Sequence, residues 1–474
     1  MSTLTLHRLT GRTRYARAGF FQPATLRVSV NVDESDRTAF LATTLHERIH
    51  YLQTTGTTYG NFVGLGRHIQ SLVVYECLKE LIHRFGSDNT FRLWLTLRDW
   101  RSDLVDGAKA SIISKHLTAS DVMEALISGF ENIVQSPSLD LAIRARSYSK
   151  AVRSPRTTVC PDIGSDDSKF AFGGLAIEEA FAQFWQLHME AQLEKQFPDT
   201  NFLDACLPQI GSQYYSAAIR LCRDKLGPAG YDAFPIVSDL ALMGPYHLLS
   251  PSSSSVSTYL WEDIHPGWRF VRALDAIKLS DLMGRVDVAH FDSEEGYAAL
   301  TSAICANLRW PTPSELCDHA LSDQGHGWVE LGGRVPTVNA FETQFRRTWQ
   351  TRQKFPASFA FPWHFLTQLS ACDPPLVFGS QGLMKVGAEH GDMFLSILVQ
   401  DIVANGFLER PVDESGKLQA ARLDCPGKIL GGEFECGDCQ GSFPRAAPVP
   451  MDCWFANTFE QAFGVPIGKV ASVW

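Results

Sequence analysis

The sequence predicts a mainly α-helical protein with a minor β component and a loop-rich C-terminal region. Apolar residues recur at helical spacing through residues 33–150 and again through 174–249, whereas a β-prone run is limited to 24–30. From residue 311 onward, Pro, Gly and aromatic residues become more frequent. We therefore expect a mostly helical catalytic domain at residues 1–310 and a helical, cysteine-containing domain at residues 311–474.

The predicted elements follow in order along the chain. The strand at 24–30 precedes a helix that begins after the polar and acidic residues 31–36 and ends near Gly56. Loops are expected at 153–168 and in the serine-rich tract 250–255, where helical periodicity is interrupted. The remaining predicted helices lie at 61–85, 89–105, 119–134, 174–249, 266–282, 294–308, 339–352, 363–372 and 390–405.

Composition and charge narrow the classes of function. The chain has 474 residues, of which 45% are hydrophobic, so it is long enough to bury more than one core. Its net charge of -10 and its lack of a long Lys/Arg run argue against nucleic-acid binding. Residues 1–8 lack the apolar core of a signal peptide, and no run of the sequence reaches the length of a membrane span. We expect a cytoplasmic protein without membrane or nucleic-acid partners, and the sequence carries no signal for an oligomeric state.

The most informative motif is residues 46–50, which read HERIH and match the pattern HExxH. On a helix, His46 and His50 lie one turn apart on the same face, so both imidazoles can reach one metal ion. Glu47 would then lie beside the open coordination position, where a carboxylate can accept a proton from metal-bound water. A pair of histidines hydrogen-bonded within a helical core is the alternative interpretation.

The rest of the ligand set is expected further along the chain. The metzincin pattern requires Gly at position 53 and His at position 56, and this chain has Gln53 and Gly56 there. The HExxH motif is followed by residues 173–185, GGLAIEEAFAQFW, and the two segments together resemble the gluzincin clan of zinc metallopeptidases. The resemblance implies a zincin-like core in which a glutamate followed by small residues, matched by Glu179 and its alanines, is the third zinc ligand.

Two adjacent glutamates compete for that role. On a helical wheel Glu179 shares a stripe with Gln183, Gln186 and Glu190, which indicates a solvated face. Glu178, in contrast, has mostly apolar neighbours. A carboxylate buried among apolar groups needs a metal or a cation, which favours Glu178. The pattern of small residues favours Glu179, which we predict as the ligand, with Glu178 as the alternative and a supporting role for the other. Both could instead be ordinary surface residues of an amphipathic helix.

Sites of this type also use a group that stabilises the oxyanion of the transition state. His265 is the predicted residue, within a turn-rich stretch that also contains Arg269. Tyr214, Tyr215 and His247 are further candidates. A histidine that precedes a proline is, in the alternative interpretation, an ordinary loop residue.

A second metal site is suggested by four cysteines in the Gly-rich C-terminal stretch. Cys436 and Cys439 form a CxxC knuckle, and Cys425 and Cys453 could complete a tetrahedral, structural zinc site. Free thiols in a loop-rich domain are the alternative. The whole chain has 11 cysteines, an odd number that fits reduced thiols and a cytoplasmic location better than a disulfide framework.

These features predict a zinc-dependent hydrolase, specifically a metallopeptidase acting on a peptide or protein substrate through water activated by Glu47. A non-peptidase metalloenzyme is the first alternative, because residues 47–50 also read as the ExxH of a di-iron carboxylate site. Such a site needs a second ExxH, which residues 80–83 or 262–265 could supply, but it leaves His46 unexplained. The second alternative is an inactive interaction protein that keeps the zincin fold.

Overall fold

The fold is mainly α-helical, as predicted, with one small sheet. In the computed structural model of the chain, helices account for 76% of the residues that are described. The predicted helices at 89–105 and 119–134 and the serine-rich loop at 250–255 lie outside the described residues. The described residues are 18–61, 63–64, 68, 71–72, 75, 162–163, 170–195, 199–210, 213–245, 261–280, 292–322, 336–363, 369, 372–379, 382–386, 391–408, 423–424, 442–443 and 453–464.

The strands of the described residues form one four-stranded sheet and two short pairs. Strand β1 (Gly19–Gln22) pairs antiparallel with β2 (Arg27–Val30), and β2 pairs parallel with β5 (Leu376–Gly379). Strand β5 pairs antiparallel with β6 (Gly382–Val386), which gives the order β1-β2-β5-β6. The sheet therefore contains strands from both sides of residue 311. The strands are β1 (Gly19–Gln22), β2 (Arg27–Val30), β3 (Asp162–Ile163), β4 (Phe170–Ala171), β5 (Leu376–Gly379), β6 (Gly382–Val386), β7 (Leu423–Asp424) and β8 (Ser442–Phe443).

Four of the predicted helices agree closely with the structure, and the block predicted at 174–249 is divided into four α-helices within the described residues. The helices predicted at 266–282, 294–308, 339–352 and 390–405 are confirmed to within a few residues. In the structure they are Pro266–Ser280, Glu294–Leu308, Pro336–Lys354 and Gly391–Leu408. Within the described residues, the helices are α1 (Arg37–Gly56), α2 (Gly174–Leu193), α3 (Thr200–Cys206), α4 (Gln213–Leu226), α5 (Gly230–Leu242), α6 (Trp261–Ile264), α7 (Pro266–Ser280), α8 (Glu294–Leu308), α9 (Pro313–Leu321), α10 (Pro336–Lys354), α11 (Gly391–Leu408) and α12 (Trp454–Phe463).

Helix α1 carries the HExxH motif and separates two hydrophobic cores. Its N-cap is Asp36, whose carboxylate accepts a hydrogen bond from the backbone N–H of Ala39 at 3.2 Å. Ile49 packs into the core formed with α2, α4 and α5, whereas Tyr51 and Leu52 pack into the core formed with the sheet and α10. Because both sides of α1 are buried, the position of the motif is fixed from two directions.

Helix α2 packs against α1 and α4 at short range. At Gly174, its first residue, a Cβ atom would lie 2.3 Å from the ring of Tyr59, so no larger side chain fits there. Ala176, Ala180 and Ala182 are all fully buried, as expected for a helix whose backbone approaches its neighbours closely. Among the described residues, no helix combines the length and the apolar character needed to cross a bilayer.

Candidate metal centre

The structure brings two histidines of α1 and one glutamate of α2 together. Nε2 of His46 lies 3.1 Å from Nε2 of His50. Oε2 of Glu179 lies 3.3 Å from Nε2 of His50 and 3.7 Å from Nε2 of His46. Each residue thus offers one ligand atom to the same small volume, and we call His46, His50 and Glu179 the ligand group.

These separations fit a tetrahedral zinc ion. Ligand atoms at about 2.0–2.1 Å from zinc, placed at two corners of a tetrahedron, are about 3.3 Å apart. The observed separations of 3.1, 3.3 and 3.7 Å scatter around that value. Two imidazole nitrogens and one carboxylate oxygen are also the ligand types that zinc prefers in catalytic sites, where water takes the fourth position.

The two candidate glutamates occupy different environments. The carboxylate of Glu179 belongs to the ligand group, and its side chain is 22% exposed. Glu178 is not a member of that group and is 6% exposed, in agreement with its apolar neighbours in the sequence. Its backbone carbonyl accepts a hydrogen bond at 3.3 Å from Nε2 of Gln53, which belongs to α1.

The ligand group is electrostatically suited to a cation. Burial disfavours a charge on His50, but the adjacent carboxylate of Glu179 outweighs burial and raises the pKa of His50 to about 9, with smaller contributions from Glu47 and Glu178. The pKa of Glu179 is well below its usual value: burial would raise it, but both imidazoles oppose burial and prevail. The carboxylate that raises the pKa of His50 would also stabilise a metal cation held between the two imidazoles.

Glu47 is buried against the sheet. It is 5% exposed, and a Cβ atom at Gly19 of β1 would lie 2.8 Å from its Cγ and Oε1 atoms. Only glycine at position 19 lets the strand approach this side chain so closely. Glu47 is not a member of the ligand group, yet its charge contributes to the raised pKa of His50. A carboxylate next to the ligands but outside the ligand set can serve as a general base.

The third residue of the motif fixes α1 to the loop that precedes β5. The guanidinium of Arg48 donates to the backbone carbonyl of Leu369 at 2.8 Å and to Oδ1 of Asp373 at 3.1 Å. The hydroxyl of Tyr51 donates to the backbone carbonyl of Asp373 at 3.1 Å. These bonds link the motif to a segment more than 300 residues away, so they stabilise the orientation of the helix on which both histidines lie.

The aromatic ring found beside the ligands is that of Tyr215 on α4. Its centroid lies 6.1 Å from that of His46, with the ring planes tilted by 48°. Tyr215 is partly exposed, and its neighbour Tyr214 is 38% exposed. The sequence offered both tyrosines as weaker candidates, and it contains no local signal that would place residue 215 next to residue 46.

His265 lies at the start of α7 and is fully buried, which lowers its pKa to about 3 and keeps its ring neutral. It is not a member of the ligand group, and its catalytic role stays a prediction. Arg269, in contrast, has a structural role. Its guanidinium donates to the backbone carbonyls of Leu240 and Met243 at 2.8–3.2 Å and lies 3.9 Å from the ring centroid of Trp310. His247 lies outside the described residues.

The predicted cysteine site is described only at Cys453. This thiol is buried, and the residue is the N-cap of α12. Cys425, Cys436 and Cys439 lie outside the described residues, so the structural zinc stays a prediction. Among the described residues, the cysteines at 206, 222, 305, 317 and 372 are also buried free thiols.

Comparisons with protein-family models, with curated proteins and with solved structures found no match to this chain. The chemistry of the site is therefore inferred from its own geometry. That geometry comprises three converging ligand atoms, a buried carboxylate outside the ligand set, and an aromatic hydroxyl residue beside one histidine.

Proposed function

We propose that this protein is a zinc-dependent hydrolase in which His46, His50 and Glu179 hold the metal and Glu47 is the general base. The observation that carries the proposal is the set of separations of 3.1–3.7 Å between three zinc-type ligand atoms on two packed helices.

The division of labour follows from the position of each side chain. Zinc held by these ligands would lower the pKa of a water molecule to about 7 and polarise a substrate carbonyl. The carboxylate of Glu47 would accept the proton of the attacking water and pass it to the leaving group. Its burial against β1 limits the solvent that reaches the carboxylate.

A peptide or protein is the substrate that the sheet favours. Strand β1 is an outer strand, and among the described residues no strand pairs with its free edge. An extended peptide can pair with such an edge through backbone hydrogen bonds. Because Gly19 of β1 touches Glu47, a peptide paired there would bring its carbonyls towards the general base.

We assign the stabilisation of the oxyanion to Tyr215, with His265 as the alternative. Tyr215 has its ring beside His46 and is partly exposed, so its hydroxyl can meet a substrate. His265 is fully buried among core residues at the start of α7. A hydrogen-bond donor of this kind contributes about 10²- to 10³-fold to the rate.

The second metal proposed from the sequence is a structural zinc held by Cys425, Cys436, Cys439 and Cys453. If it is present, Cys436→Ser removes one zinc per chain and lowers the thermal unfolding temperature more than the activity. Unchanged zinc content in this variant would exclude the site.

A di-iron carboxylate enzyme is supported less well. Its second ExxH would come from residues 80–83, which lie outside the described residues, or from residues 262–265. In the latter segment Glu262 is exposed while His265 is fully buried, so the two side chains do not face one metal site. The remaining alternative is an inactive interaction protein that keeps the zincin fold, and only an activity assay distinguishes it from an enzyme.

The first experiment is the metal content of protein purified without added metal, compared with that of His50→Ala. We expect the variant to contain one zinc per chain less than the wild type, because the loss of one ligand leaves only two protein ligands. Iron in the wild type, in place of zinc, would favour the di-iron alternative. Equal metal content in both proteins would refute the proposed site.

A further inference from the structure

Gln53 lies one turn after His50 on α1 and contacts both α1 and α2, the two helices that carry the candidate ligands. Its Oε1 atom lies 3.1 Å from Nδ1 of His50, and its Nε2 atom donates to the backbone carbonyl of Glu178 at 3.3 Å. Gln53 is 5% exposed, so solvent offers few alternative partners to its amide. The cavity next to it is lined mainly by apolar side chains, including Ile49, Leu52, Phe181, Leu242 and Phe359.

The contacts of this amide determine the direction of each hydrogen bond. A backbone carbonyl only accepts, so the end of the amide that faces Glu178 must be the NH₂ group. The oxygen of Gln53 therefore faces His50, and because an amide oxygen also only accepts, Nδ1 of His50 must carry a proton. In the neutral ring this leaves the lone pair on Nε2, the atom that faces His46 and Glu179.

We propose that Gln53 is a positioning residue that selects the tautomer of His50 required for zinc binding. The inference rests on the proposed zinc site and adds to it a residue outside the ligand set. A histidine ligand binds metal more tightly when its second nitrogen donates to a fixed acceptor, because the ring is oriented and made more basic.

The same amide couples the two helices that supply the ligands. Glu178, whose carbonyl holds the NH₂ group, immediately precedes Glu179 in α2. A shift of α2 relative to α1 would therefore change the orientation of His50 as well as the position of the carboxylate. Gln53 thus links the orientation of the His50 lone pair to the position of the Glu179 carboxylate.

The test compares Gln53→Leu and Gln53→Glu with the wild type by zinc affinity, measured through competition with a chelator. Leucine has nearly the size of glutamine but accepts no hydrogen bond, so we expect affinity to fall about 10- to 100-fold. Glutamate keeps the acceptor for Nδ1 of His50 and loses the donor to Glu178. We therefore expect Gln53→Glu to bind zinc more tightly than Gln53→Leu and at most about tenfold more weakly than the wild type.

Gln186→Leu is the matched control. Gln186 is also a buried glutamine, but its amide donates to Oε1 of Glu190 at 2.9 Å, and neither residue is one of the three ligand residues. The control should lose stability, measured by thermal unfolding, and keep its zinc affinity. A Gln53→Leu variant that matches Gln186→Leu in zinc affinity would overturn the positioning role and leave the zinc site standing.

The glutamate variant keeps the proposal testable even if Gln53→Leu does not fold. A folded Gln53→Glu protein that binds zinc more than about 100-fold more weakly than the wild type would contradict the assignment, because the acceptor at Nδ1 is retained. If the wild type itself binds no zinc, the proposed function fails first and the role of Gln53 fails with it.

Discussion

Gly19→Ala tests whether Glu47 and strand β1 work together. A Cβ atom at this position would lie 2.8 Å from Cγ and from Oε1 of Glu47, and 2.8 Å from Cγ2 of Thr43. Ordinary contacts of a Cβ atom begin at about 3.4 Å, so three atoms must each give way by about 0.6 Å. The carboxylate proposed as the general base is therefore one of the groups that the new methyl group displaces.

The expected loss follows from that displacement. A misplacement of about 1 Å in a reacting group costs about 10²-fold in rate, so a shift of several tenths of an ångström should lower kcat/KM by about 10- to 100-fold. Zinc content should not change, because the three atoms nearest to the added methyl group belong to Glu47 and Thr43 and not to a ligand residue. The assay is the initial rate on the most rapidly cleaved member of a fluorescence-quenched peptide library.

Gly64→Ala is the control for overpacking itself. A Cβ atom at Gly64 would lie 2.7 Å from Cγ2 of Thr54, which also belongs to α1, and it would not touch Glu47. We expect this variant to lose stability, by about 1–3 kcal/mol, and to keep its kcat/KM. Wild-type kcat/KM in a folded, zinc-loaded Gly19→Ala protein would refute the placement of the general base against β1.

Three further predictions concern the site. Glu47→Gln should retain zinc while hydrolysis falls by about 10²- to 10⁴-fold, because the amide cannot accept the proton of water; identical proteome-wide cleavage profiles of the two proteins would exclude Glu47 as the base. Tyr215→Phe should lower kcat by about 10²- to 10³-fold with little change in KM, whereas Tyr214→Phe should be near wild type; equal effects would remove the oxyanion role from Tyr215. Apparent zinc affinity should fall about tenfold for each pH unit below about 9, because zinc must displace a proton from His50, whose pKa is raised to about 9. A chelator titration at constant ionic strength measures this affinity, and a flat profile between about pH 6.5 and 9 would contradict the prediction.

The parts of the fold that are encoded locally could be predicted from the sequence. The helical period and the N-cap residues indicated α1, and the spacing of His46 and His50 placed both imidazoles on one face of it. Of the sheet, only the run at 24–30 was predicted. Strands β1, β5 and β6 have four or five residues each, and the pairing of β2 with β5 joins residue 27 to residue 376, for which no local pattern exists.

The helical wheel misjudged the environment of Glu179 for a physical reason. Its polar stripe contains Gln186 and Glu190, which suggested a solvated face. In the structure both are buried, at 8% and 7% exposure, and the amide of Gln186 donates to the carboxylate of Glu190. Polar side chains that satisfy each other can line a buried face, so polarity alone does not indicate exposure.

Other features of the site depend on contacts between distant segments. The approach of Gly19 to Glu47 follows from the packing of β1 against α1, and that of Tyr215 to His46 follows from the packing of α4 against α2. Gln53 was within reach of sequence analysis, because a residue three positions after His50 lies on the same face of the helix. Its bond to the carbonyl of Glu178 requires knowledge of how α1 and α2 pack.

The zinc content of the matched pair Glu179→Gln and Glu178→Gln tests the proposed metal centre most directly. The two residues are adjacent, and only the carboxylate of Glu179 joins His46 and His50 in the ligand group. We expect Glu178→Gln to keep the zinc content of the wild type after dialysis against a chelator of intermediate affinity, and Glu179→Gln to contain one zinc per chain less. Equal zinc content in the two variants, or a loss confined to Glu178→Gln, would contradict the proposed metal centre.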